Sequence, residues 1–348
     1  MPIQTMNTQA ARIGKTKGEM LKHAIPKEVL SSFGLQKTIP KNNSDTIIFR
    51  RALPPTGIDN IWINGANVDT FAQDYLLQEG VTPSARTMKY TDVSAKLEEY
   101  GVLYAITDKA FDLYEDDIAS DMRSQIGETI GAIREMINYG QLKGATNKYF
   151  VGGSNRATVS KALDLVTLRN VARNLQRQRA RANTKVMTSS GNYGTKAVEA
   201  AYIVVCHTDM EPAIRNLPGF KHVADYGQRK VVSDCEIGSV EQFRFLLSPD
   251  LAPYMNAGAA VAGTNLVSSG GSNVDVYPII LAGEDAWGQL ALRGAQSITP
   301  TWLAPGKPDK SDPLGQRGYA SAKFYHTAMV LNQGWMAVVE SGTPDLLS

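Results

Sequence analysis

Ile118, Met122, Ile126, Ile130, Ile133 and Ile137 recur at steps of four, four, four, three and four. That is one apolar stripe on a 3.6-residue repeat, and it predicts an amphipathic helix over 112–143. Asp112, Glu115, Asp116 and Asp117 at its start and Lys143 at its end suit the helix dipole, with Gly144 as the stop. At ~1.5 Å per residue it would exceed ~40 Å, a spine for a sheet or another subunit. A second helix is expected over 167–181. Leu168, Val171, Ala172 and Leu175 share one face, and Arg169, Arg173, Arg177, Arg179 and Arg181 occupy much of the rest.

Elsewhere the period is two. Residues 79–107 alternate polar with apolar and are rich in Thr, Val and Tyr, so they predict strands. The first part carries little core and reads as a projecting hairpin; residues 100–106 return to the body. From 201 onward strand and helix alternate. A buried strand is expected at 202–206, and a short helix capped by Thr208 that stops before Pro218-Gly219. Further strands are expected at 240–247 and 276–282. Loops follow at 256–273 and 304–318. Two closing strands, 324–331 and 335–340, flank Asn332-Gln333-Gly334. Residues 1–51 are polar and basic, with a short helix at 20–35 ending at Gly34. This segment reads as an arm that cannot bury its own core. Residues 187–199 read as a polar linker, and no repeat is visible.

A chain of 348 residues implies two or three domains, or one core with large extensions. Hydrophobic residues at 43% and charged residues at 20% exclude wholesale disorder. Lys+Arg total 36 and Asp+Glu 34, a net charge of +2. That balance argues against a dedicated nucleic-acid binder and leaves little repulsion between copies. The two cysteines, Cys206 and Cys235, exclude a disulfide scaffold. There is no signal-peptide h-region and no apolar run long enough to span a bilayer. A soluble protein of a reducing cytoplasm, with no membrane partner, is expected.

Catalytic signatures are missing. No Walker loop, G-x-G-x-x-G, H-E-x-x-H or G-x-S-x-G occurs. Cys206, His207, His222 and Cys235 make a poor zinc set, because adjacent strand residues face opposite ways. They read as a buried thiol beside a surface histidine. The acidic pairs Glu98-Glu99, Asp116-Asp117 and Glu284-Asp285 read as solvated or helix-start charges. The arginines of 167–181 read first as a solvated face, with nucleic-acid phosphates as the rival. Catalytic, cofactor and metal residues are therefore all set at none. A basic arm, a projecting hairpin, a long helix and an α/β part make a chain suited to touching copies of itself.

Five stretches carry a resemblance: EGVTPSARTMKYTDVSAKLEEYGV at 79–102, LYAITDKAFDLYEDD at 103–117, YIVVCHTDMEPAIRNLPGF at 202–220, VYPIILAGEDAWGQLALRG at 276–294, and DPLGQRGYASAKFYHTAMVLNQGWMAVVESGT at 312–343. The chain resembles the major capsid proteins of tailed bacteriophages, and is most similar to the N4 gp56-like family. The resemblance implies an α+β fold of the HK97 type. It would comprise an N-terminal arm and entry at 1–64, an extended loop at 65–107 overlapping a neighbour, and a peripheral domain with the spine helix at 108–199. An axial domain at 200–320 and closing strands at 321–348 would complete it.

The function implied is self-assembly, through hexamers and pentamers, into an icosahedral head enclosing double-stranded DNA, in a virion assembled in the host cytoplasm. Implied partners are a separate scaffolding protein, since 1–51 carries no heptad pattern, a portal protein and a decoration protein. Candidate interface residues are Arg12, Lys15, Lys17, Arg86, Lys89, Tyr90 and Lys96; candidate DNA-facing residues are Arg169, Arg173 and Arg177. Lys89, Lys96, Asn64 and Asn67 lie near the extended loop, but nothing marks a crosslink there. The rival readings are an encapsulin-like compartment, a soluble α/β enzyme and a nucleic-acid-binding protein.

Overall fold

The computed structural model describes residues 28–40, 44–52, 75–83, 85, 87–113, 118–183, 200–226, 231–292, 298–308 and 310–346. Ser44–Lys96 forms one compact unit and the rest of the chain the other. Among the described residues, no helix is long and apolar enough to cross a membrane.

The larger unit holds two sheets. The seven-stranded sheet contains β5 (Lys148–Phe150), β6 (Tyr202–His207), β7 (Lys221–His222), β8 (Glu236–Val240), β9 (Phe243–Ser248), β10 (Tyr277–Ala282) and β14 (Met336–Ser341). Their order is β5-β14-β10-β6-β9-β8-β7. Its central strands β14, β10, β6 and β9 are buried at nearly every position and mostly apolar, because both faces are covered. Val204, Phe245, Ile279 and Val339 pack on one side, against Leu168, Val171 and Leu175 of a helix at Leu165–Arg177 and Ile214 of a helix at Glu211–Arg215. Val205, Leu246, Ile280 and Val338 pack on the other side, against Tyr139, Leu142, Leu30 and Trp287.

The five-stranded sheet is built around the long β13 (Arg317–Val330). One edge of β13 pairs along Arg317–His326 with β4 (Glu98–Thr107). The other edge pairs first with β12 (Thr299–Leu303) and then with β11 (Trp287–Leu292). Strand β1 (Leu35–Ile39) adds in parallel to β11.

The helices are α1 (Asp108–Leu113), α2 (Ile118–Leu142), α3 (Leu165–Arg177) and α4 (Glu211–Arg215). The spine helix is α2. It starts at Ile118, and its 25 residues give about 37 Å, shorter than the pattern over 112–143 implied. Asp112 lies in α1, and Glu115, Asp116 and Asp117 fall outside the described residues. Met122, Ile126 and Ile130 pack on Ala320, Ala322 and Phe324 of β13. Tyr139 and Leu142, at the far end, pack on the seven-stranded sheet. One helix thus spans both cores.

Between those contacts α2 buries two polar side chains. The Glu135 carboxylate accepts backbone N–H bonds from Val29 (3.1 Å), Leu30 (2.8 Å) and Ser31 (3.4 Å). Asn138 donates to the Ser31 hydroxyl (3.2 Å), and its carbonyl oxygen lies 2.9 Å from His326 Nε2 on β13. Gln289 of β11 donates to the Ser31 carbonyl (2.6 Å). All five of these side chains are buried. Burial raises the Glu135 pKa, opposed by its backbone donors. Burial, followed by the positive charge of Arg134, pushes His326 down to about 4, so it is neutral near pH 7.

Several expectations are revised. Val29 and Leu30 are each only 2% exposed and β1 is part of a sheet, so the end of the supposed arm is core. The only regular helical turn described within 28–35 is a 3-10 turn, Leu30–Ser32. Gly34 serves close packing, since a Cβ there would sit 2.7 Å from the Trp287 ring. The 240–247 stretch divides, because the chain turns at Glu241, with φ 49°, between β8 and β9. His207, not Thr208, caps the turn before α4, its Nδ1 accepting from the Asp209 N–H at 3.1 Å. The 167–181 helix starts at Leu165, where the Asp164 side chain accepts from Thr167 N–H at 2.8 Å, and ends at Arg177. It packs on the seven-stranded sheet, so 108–199 is divided between the two sheets. The closing strands do not pair with each other: β13 and β14 enter different sheets. Strands β11 and β12 carry no strong period-two signal and were not expected.

Two outcomes follow for stability. Glu135→Gln replaces one of the two acceptor oxygens with a donor, which must face at least the Ser31 N–H, and should cost about 2 kcal/mol in guanidinium unfolding followed by tryptophan fluorescence. On acidification from pH 6.5 to about 4, the unfolded chain takes up a proton at His326 that the native chain refuses. Stability is therefore lost as pH falls through that window. His326→Gln, which keeps a donor toward Asn138, should reduce that loss by up to about 3 kcal/mol at the acid end. The Glu135 contribution has the opposite sign and is shared by both proteins, so the difference between their pH profiles isolates His326. Parallel profiles would refute this account.

Candidate functional site

Among its described residues, the Ser44–Lys96 unit holds an antiparallel pair of strands, β2 (Thr46–Ala52) and β3 (Tyr90–Lys96). The partner of β3 is thus a strand some 40 residues upstream in sequence, and not one within 79–107. Cross-strand pairs Ile47↔Ala95 and Phe49↔Val93 lie on one face; Ile48↔Ser94 and Arg50↔Asp92 lie on the other. The first face is the more shielded, yet none of its residues is buried. A lone two-stranded ribbon of this kind is marginal in water.

Charge pairs hold the opposite face. Arg50 donates to both carboxylate oxygens of Asp92 at 2.9 Å each, and its guanidinium lies 5.7 Å from the Tyr90 ring centre. That hydrogen bond to Arg50 holds the Asp92 carboxyl below the usual range. Lys96 stands 3.5 Å from Asp45, whose own carboxyl is lowered first by its hydrogen bond from Thr46. These pairs are exposed and set register more than stability.

Of the sequence candidates, Tyr90 and Lys96 are on this hairpin, and Lys89 is exposed just before β3. Arg12, Lys15, Lys17 and Arg86, with Asn64, Asn67 and the linker 187–199, lie outside the described residues.

Arg169, Arg173 and Arg177 are on the exposed side of α3, but they do not share one environment. Arg169 is held by Glu241 in the β8–β9 turn, through bonds of 2.8 and 2.5 Å. Arg173 and Arg177 flank an open cleft of about 330 Å³, also lined by Tyr149, Asn170 and Asn174. Asn174 donates to the Tyr149 hydroxyl at 2.7 Å and to the Asn147 carbonyl oxygen at 3.3 Å. Sequence reading missed Tyr149, Asn170 and Asn174, although the 170, 173, 174, 177 spacing marks one helix stripe.

The remaining chemistry is structural. Cys206 is fully buried, and burial pushes its thiol up. His207 bonds Asp209 instead of joining it. Among the described residues no cluster of His, Cys, Asp and Glu is placed to hold a metal. Glu340, fully buried on β14, is neutralised by Arg156 through bonds of 2.7 and 2.8 Å, and Arg156 stacks 3.5 Å from the Tyr254 ring centre.

A profile of the phage capsid protein family matches residues 90–339. The chain belongs to that family. A curated relative, the major capsid protein of Pseudomonas phage KPP21, is 21% identical over 267 residues, covering 72% of this chain and 67% of the relative. The capsid of Ralstonia phage GP4 superposes with a TM-score of 0.64 at 11% identity, over 96% of each chain. The head structure of Helicobacter pylori bacteriophage KHP40 gives 0.59 at 10% identity, over 99% and 98%. The capsid protein therefore has the HK97-type fold. Its role is structural, as the major subunit of an icosahedral head shell, and not enzymatic.

Proposed function

We propose that this capsid protein belongs to the N4 gp56-like group and clasps its neighbours in hexamers and pentamers through the Ser44–Lys96 unit. The observation that carries this is the hairpin's apolar face of Ile47, Phe49, Val93 and Ala95, which among the described residues meets no core of its own. Such a face gains order only when another surface removes it from water. Lys89, Tyr90 and Lys96 would contact the neighbouring copy at the rim of that patch, with Arg12, Lys15, Lys17 and Arg86 as further interface residues.

In this reading α2 and the five-stranded sheet form the peripheral domain. The seven-stranded sheet with α3 and α4 forms the axial domain. Assembly takes place in the host cytoplasm on a separate scaffolding protein, with a portal at one vertex, a decoration protein outside and double-stranded DNA inside.

Electron microscopy of the purified full chain, beside size-exclusion chromatography, tests the reading. Wild type should give shells, tubes or capsomer rings, alone or with a co-expressed scaffold; particle diameter separates a phage head from an encapsulin-sized compartment. Phe49→Asp with Val93→Asp should abolish those assemblies while the unfolding midpoint of the larger unit stays unchanged. Normal assembly by that variant would remove the hairpin from the interface.

A further inference from the structure

Residues 28–39 are anchored to the larger unit at their two ends and loosely between. Val29, Leu30 and Ile39 are buried, whereas Gln36, Lys37 and Thr38 of β1 face solvent. The same three residues border an open cavity of about 320 Å³, whose other walls include Gln289, Phe324 and His326. Strand β1 is also an edge. It pairs with β11, and among the described residues no strand pairs with its other side. Lifting it away breaks no other pairing, since β11 keeps β13.

The first anchor is held by very few groups. One carboxylate, that of Glu135, takes the N–H groups of Val29, Leu30 and Ser31. The Ser31 hydroxyl accepts from Asn138, and its carbonyl accepts from Gln289 at 2.6 Å and from Gln36 of the segment itself at 3.1 Å. Parting these bonds one at a time would leave buried donors facing an apolar wall, which is costlier than parting them together. The segment therefore has two states, docked or released as a piece.

Connectivity gives that piece a task. The chain crosses into the Ser44–Lys96 unit at 43–44 and out of it at 96–97. The second crossing runs directly into β4, which pairs along β13 over ten residue pairs. The first leads back through Pro40 to β1. With residues 28–39 docked, the unit is tied to the larger one at both ends; with them released, it is tied at one.

We propose that residues 28–39 are a releasable strap: the segment leaves α2 and β11 as one piece while both sheets stay folded, and its release frees one of the two ties of the β2–β3 unit, which can then meet neighbours in different geometries. The use of the freed tie rests on the reading that this unit clasps neighbouring copies; the release itself does not.

Native-state hydrogen exchange on the purified full chain, in low guanidinium and in one fixed assembly state, tests the release. Strap amides should exchange at least about tenfold faster than those of β6 and β10, and with a smaller guanidinium slope. Ile279→Val lies on the face of β10 away from the strap. It should speed β6 and β10 exchange about threefold to tenfold and strap exchange less than about twofold, because it weakens docked and released forms alike. Glu135→Gln should speed strap and core exchange by equal factors, because it weakens the docked form alone. Strap amides that follow Ile279→Val as closely as the core does, or share the core's slope, would overturn the release. Strap amides with no protection would overturn it too, as a segment that never docks.

A crosslink tests the tie. Thr38 and Ala291 are register partners across β1 and β11, and neighbouring strands place such partners within disulfide range. Thr38→Cys with Ala291→Cys, once oxidised, should slow strap exchange to the core rate. Closed shells seen by electron microscopy should fall at least about tenfold and recover on reduction. Wild type, with its free Cys206 and Cys235, is given the same oxidant as the control. Equal shell yields from the locked and reduced protein would overturn the tie. If neither wild type nor the reduced variant assembles with a co-expressed scaffold, the clasping reading fails, and the exchange rates still decide the release.

Discussion

Everything in the larger unit depends on α2 being shared by two cores. Its first turns are apolar toward β13, and its last turn is apolar toward the seven-stranded sheet. Between them it carries Glu135 and Asn138, which hold a piece of chain more than 100 residues away in sequence. A polar pair in that position does what an apolar pair could not. It sets the register of residues 29–31 on the helix, because three backbone N–H groups must all reach one carboxylate. Through Ser31 and Gln289 that register passes to β11, and through His326 to β13. Helix, entry segment and sheet are thus fixed by one buried network whose members are costly to leave unpaired.

Charge is handled in two ways, consistent with the near-zero net charge. Inside, Glu340 is paired with Arg156, and Glu236 receives the Tyr226 hydroxyl and the Val232 N–H at 2.7 Å each. These pairs close loops onto the sheet. Outside, Arg50 with Asp92, Lys96 with Asp45 and Arg169 with Glu241 are screened pairs that steer geometry more than they add stability. Arg173 and Arg177 line an open cleft on α3 with Tyr149, Asn170 and Asn174.

The hairpin shows the other side of the same economy of contacts. Ile47, Phe49, Val93 and Ala95 are patterned as a sheet face but, among the described residues, have no second layer within their own unit. A monomeric protein gains nothing from such a face, while a subunit of a closed shell gains an interface. The family membership and this geometry therefore point the same way.

The sequence by itself determined the helical face of Ile118–Ile137, the buried strand at 202–206, the apolar face of α3 and the resemblance to phage capsid proteins. Those features are local: period, propensity and contiguous motif are visible without knowing what lies opposite. The tertiary structure alone decided which strands pair. Residues 324–340 read as two closing strands, and the fold puts β13 and β14 into different sheets, because Ala320, Ala322 and Phe324 face α2 while Val338 and Val339 sit between strands β10 and β5. It also decided that 46–52 pairs with 90–96, that Val29 and Leu30 are core, and that Arg169 differs from Arg173 and Arg177. Each of those outcomes depends on a partner far away in sequence. The free energy of burying a side chain or pairing a charge is a property of both partners, and a linear pattern shows only one.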